Sequence, residues 1–449
     1  MNNISLLTQW GLLIITSVLF IFFSPLAKTK EAFFKAVQKN KTPNALMLTG
    51  SLVISWIFAK SITNASNLGK QFGLVGGIAY AVYYLSFAVA GVIIYQLRTK
   101  GNYQSIHHFL KTKFGSTAIV VFSFLILIRL FNEVWSNTMV VGSFFGVAGS
   151  ASYYTSITVF TVLTLAYALK GGLSSSIFTD AVQMILFAVL LAIVLLKIFS
   201  TKNFNLTSVA NSSQWSMSLG GNLMIAAFIQ IFSYPFHDSV LTDRGFISKP
   251  NTTLYSFLWA SLLAFICILA FSLVGVFAKL NHLQGEPTVA LGKLFGIGIL
   301  SVVNFIMISS AASTLDSAFA SASKLMAVDL NIKYSVLFGR LTMVFLALVG
   351  SLPVFFAPSI LSATTLSGTM VIGLAPVFIF WQKDSPKISF YLSVLCGIIF
   401  GCLLVFKAFP SFLILSTGKY STLLWVNIWG NLICFILYLI PVWIKKQFR

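Results

Sequence analysis

The sequence predicts an all-α polytopic membrane protein of about thirteen transmembrane helices, and three observations carry that prediction. Of 449 residues, 58% are hydrophobic and only 8% charged, with a mean hydropathy of +0.93. Soluble domains carry about a quarter charged residues. Apolar runs of about 20 residues, the length that crosses the hydrocarbon as a helix, recur along the whole chain. The loops between thirteen such runs fall into two sets, one with nineteen Lys and Arg and the other with seven. A wrong helix count would scramble that asymmetry.

The first run, 7–25, has no basic residues ahead of it and is followed by "KTKEAFFKAVQKNK". That order is the reverse of a secretory signal peptide and reads as a retained anchor, residues 1–27, with its N-terminus outside. Runs at 45–67, 74–97, 117–145, 152–169 and 175–198 form one block of five, 45–198. Runs at 221–237, 253–278, 294–325, 336–356 and 360–381 form a second, 221–381. The run at 294–325 is long enough to tilt or to extend past the membrane. Two trailing helices, 388–406 and 421–443, lie in the remaining segment, 388–449. The basic loops, Lys28 to Lys41 and Arg98 to Lys113 among them, mark the cytoplasmic side. The C-terminus is therefore expected in the cytoplasm of a cell (inner) membrane, and the net charge of +20 reads as topology, not as nucleic-acid binding. Cys267, Cys396, Cys402 and Cys434 fall in apolar runs without paired spacing, which reads as buried small hydrophobes.

Two helices are interrupted at membrane depth. In "SLVISWIFAKSITNAS" the apolar run gives way to Lys60, Ser61, Thr63, Asn64 and Ser66. In "IQIFSYPFHDSVLTDRGF" Pro235 breaks the helix and His237, Asp238, Asp243 and Arg244 follow. Irregular backbone at that depth survives where it lines a cavity or is buried in protein. The two breaks open the two successive blocks, the hydropathy signature of an inverted-repeat 5+5 transporter with solute and ions bound at the breaks. No internal sequence repeat accompanies it.

Charges inside the spans mark function because each costs about 2.5–3.5 kcal/mol at a helix centre. The acids so placed are Glu133, Asp180, Asp238 and Asp316; the bases are Lys60, Arg129 and Lys324. Snorkelling at a helix end accounts for Lys324 and is an alternative for Asp238. In "SSAASTLDSAFASASKL", a 100° rotation per residue puts Ser309, Ser310, Ser313, Thr314, Asp316, Ser317, Ser321 and Ser323 on one half of the helix. Close-packing accounts for about half of those serines; it does not account for Asp316. Hydroxyls, carbonyls and a carboxylate are the ligands that alkali cations prefer.

Three stretches carry a resemblance to the sodium:solute symporters. "GGLSSSIFTDAVQ" (171–183) is similar to that family's glycine pair and following helix, "SSAASTLDSAFASASKLMAVDL" (309–330) to its eighth core helix, and "HDSVLTDRGFISKP" (237–250) to the segment leaving its broken sixth. The resemblance spans about 45–445 and implies a LeuT-like core with one leading and two trailing helices. It implies a sodium site of the Ile54 and Ile57 carbonyls, the Ser310 carbonyl, and the Ser313 and Thr314 hydroxyls. A second cation site of Asp180, Asp316 and Ser317 is implied as well, with Asp316 standing where two-sodium members carry a hydroxyl. "SWIFAKS" is closest to the urea-type branch, except for Lys60. That lysine has three readings: a substitute for a cation, a partner for an acid such as Asp316, or a ligand for an anionic solute. Arg129 either pairs with Glu133 one turn on, at the spacing of an intrahelical ion pair, or binds a solute carboxylate. Ser61, Asn64, Asn137, Tyr234, Phe236 and His237 complete the solute candidates; for His237 a helix-end hydrogen bond is the alternative.

The expected activity is sodium-coupled symport of a small polar solute, tilted towards a carboxylate-bearing one by the two intramembrane cations. No cofactor is expected beyond Na+ as coupling ion. Proton coupling is the alternative that Asp316 keeps open. The chain has no nucleotide-binding Walker sequence. An intramembrane aspartyl protease is disfavoured because "FTDAV" and "TLDSA" do not resemble the signatures of those enzymes. A solute sensor is disfavoured by the short segment after the last run. The expected partners are the solute, sodium and the lipid bilayer; oligomeric state is not legible.

Overall fold

The computed structural model describes residues 3–37, 41–202, 204–356 and 368–447, and among them there is helix and no β-strand. The chain is a multi-pass membrane protein: among the described residues ten helices are long and apolar enough to cross a bilayer. They are α1 (Asn3–Phe23), α4 (Leu74–Thr99), α5 (Ser116–Phe145), α6 (Ala151–Gly171), α7 (Leu173–Phe199), α10 (Pro250–Leu280), α11 (Ile297–Lys324), α12 (Val336–Ser351), α14 (Lys387–Val405) and α15 (Ser421–Gln447). The pair α2 (Ala45–Trp56) and α3 (Ala59–Phe72), bent by 63°, supplies an eleventh span. Among the described residues the count by length and apolarity alone is thus ten or eleven, against the thirteen or so apolar runs of the sequence. Of the other two expected spans, 221–237 is the short α8 (Gly221–Gln230) running into a 3-10 turn, Tyr234–His237, and then α9 (Ser239–Arg244). The other, 360–381, begins in 357–367, outside the described residues, and continues as α13 (Leu374–Ile379).

Helix starts follow local chemistry. Asn44 caps α2 by accepting from the Met47 amide at 2.9 Å, and Ser150 caps α6 from Tyr153 at 3.3 Å. Gly172, at φ +55°, turns the chain from α6 into α7; a Cβ there would meet the Phe33 carbonyl and ring.

The chain divides into two compact units, each drawing on both halves of the sequence. Unit 1 is Met1–Ala81, Leu130–Gln214 and Leu263–Pro358; unit 2 is Val82–Arg129, Trp215–Leu262 and Ser359–Arg449. In unit 1, α11 packs against α2, α3, α6, α7 and α12. Every residue of α11 from Ile306 to Ser323 is buried, so its polar half faces protein as fully as its apolar half does. Lipid gives helices no hydrophobic reason to associate, so close contact between small residues carries much of the packing. At α3 against α10 a Cβ on Gly69 would meet the Ser272 carbonyl, and one on Gly275 the Ser66 carbonyl. In unit 2, α14 and α15 lie side by side, and Cys434 is buried in their apolar contact with Phe400 and Val426. All four cysteines are free.

Candidate functional site

Helix α2 ends at Trp56 because Ile57 (φ −84°, ψ 75°) and Phe58 (φ −64°, ψ 154°) leave the helical region. The carbonyls of a last turn lack intrahelical partners, and Ile54 lies in that turn. The Ile57 carbonyl accepts from the Ser310 hydroxyl of α11. One turn on, the Thr314 hydroxyl donates to the Ser310 carbonyl at 3.0 Å. Ile57, Ser310 and Thr314 therefore form one oxygen-rich group at the break, with Ile54 in the adjoining turn.

Ser313 faces elsewhere. Its hydroxyl donates to Asp180 Oδ1 on α7, while Ser51 of α2 donates to Asp180 Oδ2 at 2.6 Å and Ser317 to the same oxygen at 3.5 Å. Ser317 also bonds Ser176 at 2.9 Å, and Thr179 donates to Asp316 Oδ2 at 2.9 Å. Tyr167 of α6 donates to the Ala312 carbonyl at 3.3 Å. Asp180 and Asp316 are fully buried, and Asp316 Oδ1 has no hydrogen-bond partner. The two sets that the resemblance implies thus meet at Ser313, which joins α11 to the carboxylate of α7. The donor set is hydroxyls, carbonyls and two carboxylates taken from water, which suits a desolvated alkali cation. Among the described residues no three His, Cys, Asp or Glu side chains gather as a metal centre.

Ser51, Ser176, Thr179 and Tyr167 escaped the sequence reading. Ser176 and Thr179 stand in the quoted "SSSIFTD", four and one residues before Asp180, and helical spacing puts Ser176 on the aspartate's face. Ser51 lies one turn before Ile54. Nothing local marks Tyr167. Of the α11 serines, Ser309, Ser321 and Ser323 have buried hydroxyls without partners, as packing residues do.

Beyond the first break Lys60 Nζ lies 2.7 Å from Glu133 Oε2 of α5, 3.3 Å from the Ser136 hydroxyl and 4.8 Å from the Phe58 ring centre. Of the three readings of Lys60, pairing with an acid is the one seen, and the acid is Glu133. Asn137 Nδ2 donates to the Glu133 carbonyl at 2.9 Å and to Glu133 Oε2 at 3.1 Å. Tyr80 Oη donates to Ser61 at 3.4 Å and accepts from Asn64 Nδ2 at 3.5 Å.

The second break is in unit 2. Pro235 sits in the 3-10 turn after α8, and Asp238 (φ −92°, ψ 100°) caps α9 by accepting from the Leu241 amide at 3.2 Å. Arg129 donates from Nη2 to Asp238 Oδ2 at 2.6 Å and from Nη1 to Tyr234 Oη at 2.7 Å. Asp238 is 1% exposed, so burial and pairing replace the snorkelling alternative. His237 Nδ1 lies 2.6 Å from the Tyr234 carbonyl, the helix-end bond, and the Phe236 ring stacks on Phe378 at 3.9 Å. Lys324 is held at 3.3 Å by Asp329.

The fold is that of the LeuT-like transporters. A Na+-coupled sialic acid symporter, solved substrate-bound and outward-open, is similar over 99% of this chain and 98% of its own, at 16% identity and TM-score 0.72. Mhp1, a nucleobase-cation-symport-1 family transporter solved with bromovinylhydantoin, is similar over 94% and 97%, at 12% identity and TM-score 0.61. The manganese transporter of Eremococcus coleocola is similar over 90% and 95%, at 11% identity and TM-score 0.56. No curated protein matches. Within that class, residues 40–242 match the sodium:solute symporter family, the family whose likeness the three quoted stretches carry. The matching family and these structures are transporters, not enzymes.

Proposed function

We propose that this protein is a sodium-coupled symporter that imports a small polar solute across the cell (inner) membrane. Its N-terminus lies outside and its C-terminus in the cytoplasm, as the loop charges imply. The observation that carries the reading is the bond from Ser310 to the Ile57 carbonyl, which brings the hydroxyl face of α11 against the unwound end of α2. Ile54, Ile57, Ser310, Ser313 and Thr314 would ligate one sodium ion. Asp180, Asp316 and Ser317 would ligate a second. A bound cation draws the first broken helix and α11 together, so sodium and solute each raise the other's affinity. Na+ is cargo here, and no cofactor is required.

The tilt towards a carboxylate-bearing solute took its strength from two intramembrane cations. Lys60 and Arg129 each have an acid within 2.7 Å or less, so that argument no longer favours an anion. A second reading, proton coupling, is supported by Asp316: it is fully buried, and one carboxylate oxygen takes the Thr179 hydroxyl while the other takes no donor, which disfavours the charged form.

Thermal unfolding of the purified protein in sodium against potassium tests the proposal, because a ligand of the folded state raises its stability by mass action. Sodium-specific stabilisation lost in Ser313→Ala/Thr314→Ala is expected. Stability indifferent to sodium but following pH through Asp316 would favour proton coupling. Indifference to both would remove the support for either.

A further inference from the structure

Within unit 1, residues 29–36 form a strap between α1 and α2 that lies against the ends of α7, α11 and α12. Thr29 caps the short helix Lys30–Lys35 by accepting from the Ala32 amide at 3.1 Å, and Ala36 ends it at φ +53°. Lys30, Glu31 and Lys35 are exposed, while Ala32, Phe33 and Phe34 are buried, the two rings to 1%. A helix of six residues does not hold itself in water, so the strap depends on what it packs against. Phe33 lies at Gly172, where α7 begins, with the Arg340 guanidinium of α12 5.8 Å from its ring centre. Phe34 and the Ser323 hydroxyl of α11 meet at Gly339 of α12, where a Cβ would strike both. One hydrogen bond, from the Ser174 hydroxyl to the Ala32 carbonyl at 2.6 Å, latches the strap to α7.

The same two helices carry the oxygens proposed to hold sodium. Ser313, Ser317 and Ser321 stand four residues apart on one face of α11. Ser313 and Ser317 bond Asp180, and Ser317 also bonds Ser176, one turn before Asp180 on α7. Ser321 comes next on that face, fully buried and packed without a hydrogen-bond partner. On α7 the turn before Ser176 is Gly172, which Phe33 covers. At 1.5 Å per residue Gly172 lies about 12 Å along the helix from Asp180. Resting on the sodium reading, we infer that residues 29–36 are a lid on the sodium group. The ion passes to the cytoplasmic side of the proposed topology along the Ser176, Ser317 and Ser321 hydroxyls when Phe33 and Phe34 leave their sockets. The strap runs on into α2, whose end carries the Ile57 carbonyl. A cation that holds α2 against α11 therefore keeps the lid seated, and its loss frees the strap.

Labelling of the purified full chain with a water-soluble maleimide tests this. Cys267, Cys396, Cys402 and Cys434 are replaced by Ala, and one cysteine is introduced. Ser321→Cys probes the seam. Ser156→Cys, fully buried on α6 and about 22 Å along that helix from Gly171, is the control. In potassium, adding Phe33→Ala/Phe34→Ala should speed labelling of Ser321→Cys roughly ten-fold or more. Adding Ser174→Ala, which keeps both rings and deletes the one latching hydrogen bond, should speed it roughly two- to ten-fold. Ser156→Cys should label at an unchanged rate in both. The Ser174→Ala arm decides the question if the double variant fails to fold. With the strap intact, sodium should slow labelling of Ser321→Cys relative to potassium. A rate at Ser321→Cys unmoved by either strap variant, or raised equally at Ser156→Cys, overturns the lid. Labelling that depends on the strap but is the same in sodium and potassium keeps the lid and overturns the sodium reading.

Discussion

Lys60 and Glu133 form a buried ion pair, 2.7 Å between Nζ and Oε2, with each side chain 4% exposed, one turn past the break that ends α2. The pair fixes α3 to α5 inside unit 1. Removing one partner strands the other charge at membrane depth, which costs about 3–5 kcal/mol. Replacing both with apolar residues avoids that cost. Lys60→Met and Glu133→Leu should therefore each lower the unfolding temperature sharply, and the double variant should recover most of the loss. Additive losses in the double-mutant cycle would show that the two residues do not act as a pair.

Asp180 gathers hydroxyls from α2 and α11 and stands at the joint between the two groups of oxygens proposed to hold sodium. Asp180→Asn removes the charge and leaves the volume unchanged. Sodium-specific thermal stabilisation should vanish in Asp180→Asn and be weakened roughly ten-fold in Ser51→Ala, which deletes one hydrogen bond to a charged group worth about 1.5–3 kcal/mol. A full sodium shift in Asp180→Asn would place the cation elsewhere.

Gly275 on α10 lets the Ser66 carbonyl of α3 approach to where a side chain would begin. Gly275→Val has to push the two backbones apart. Overpacking costs typically about 1–3 kcal/mol, and backbone against backbone belongs at the upper end. A detergent unfolding curve unchanged in Gly275→Val would mean the two helices separate without cost.

Lys113, in the short helix Ile106–Phe114 outside the membrane spans, donates to the Trp381 carbonyl at 2.5 Å and lies 5.6 Å from the Phe109 ring centre. Burial lowers its pKa from 10.5 to about 8, against an opposing pull from Asp384. Between about pH 8 and 10.5 the folded chain then holds fewer protons than the unfolded chain. Its contribution to stability therefore rises with pH through that window, is complete above it, and is lost as pH falls through 8. Lys113 keeps some solvent contact, so the effect is small. The wild type should gain stability relative to Lys113→Met as pH rises from 7.5 to 9.5; an unchanged difference would refute the shift.

Much of the fold was legible because membrane insertion writes itself locally. Apolar length, the basic loops and the loss of hydrophobicity around Lys60 and Pro235 each reflect the cost of polar groups in hydrocarbon. They gave the all-helical architecture and both helix breaks. They did not show where a span is broken into short pieces, because hydropathy registers an apolar stretch whether the backbone stays helical or, as at 231–238, does not. Asp180, Asp316 and the α11 hydroxyls stood out for the same reason.

Partnership was not legible. Glu133 sits one turn from Arg129 in sequence, and only the folded chain brings Lys60 to it from 73 positions away. Ser313, read as a ligand of the first site, turns to Asp180 because α7 packs on that side of α11. Ser51 and Tyr167 carry no mark in sequence at all. The sequence by itself determined which residues are too polar to be idle in a membrane, since that cost is a property of each residue. Which charge neutralises which depends on side chains from distant helices meeting within 3 Å, and only the tertiary structure decided it.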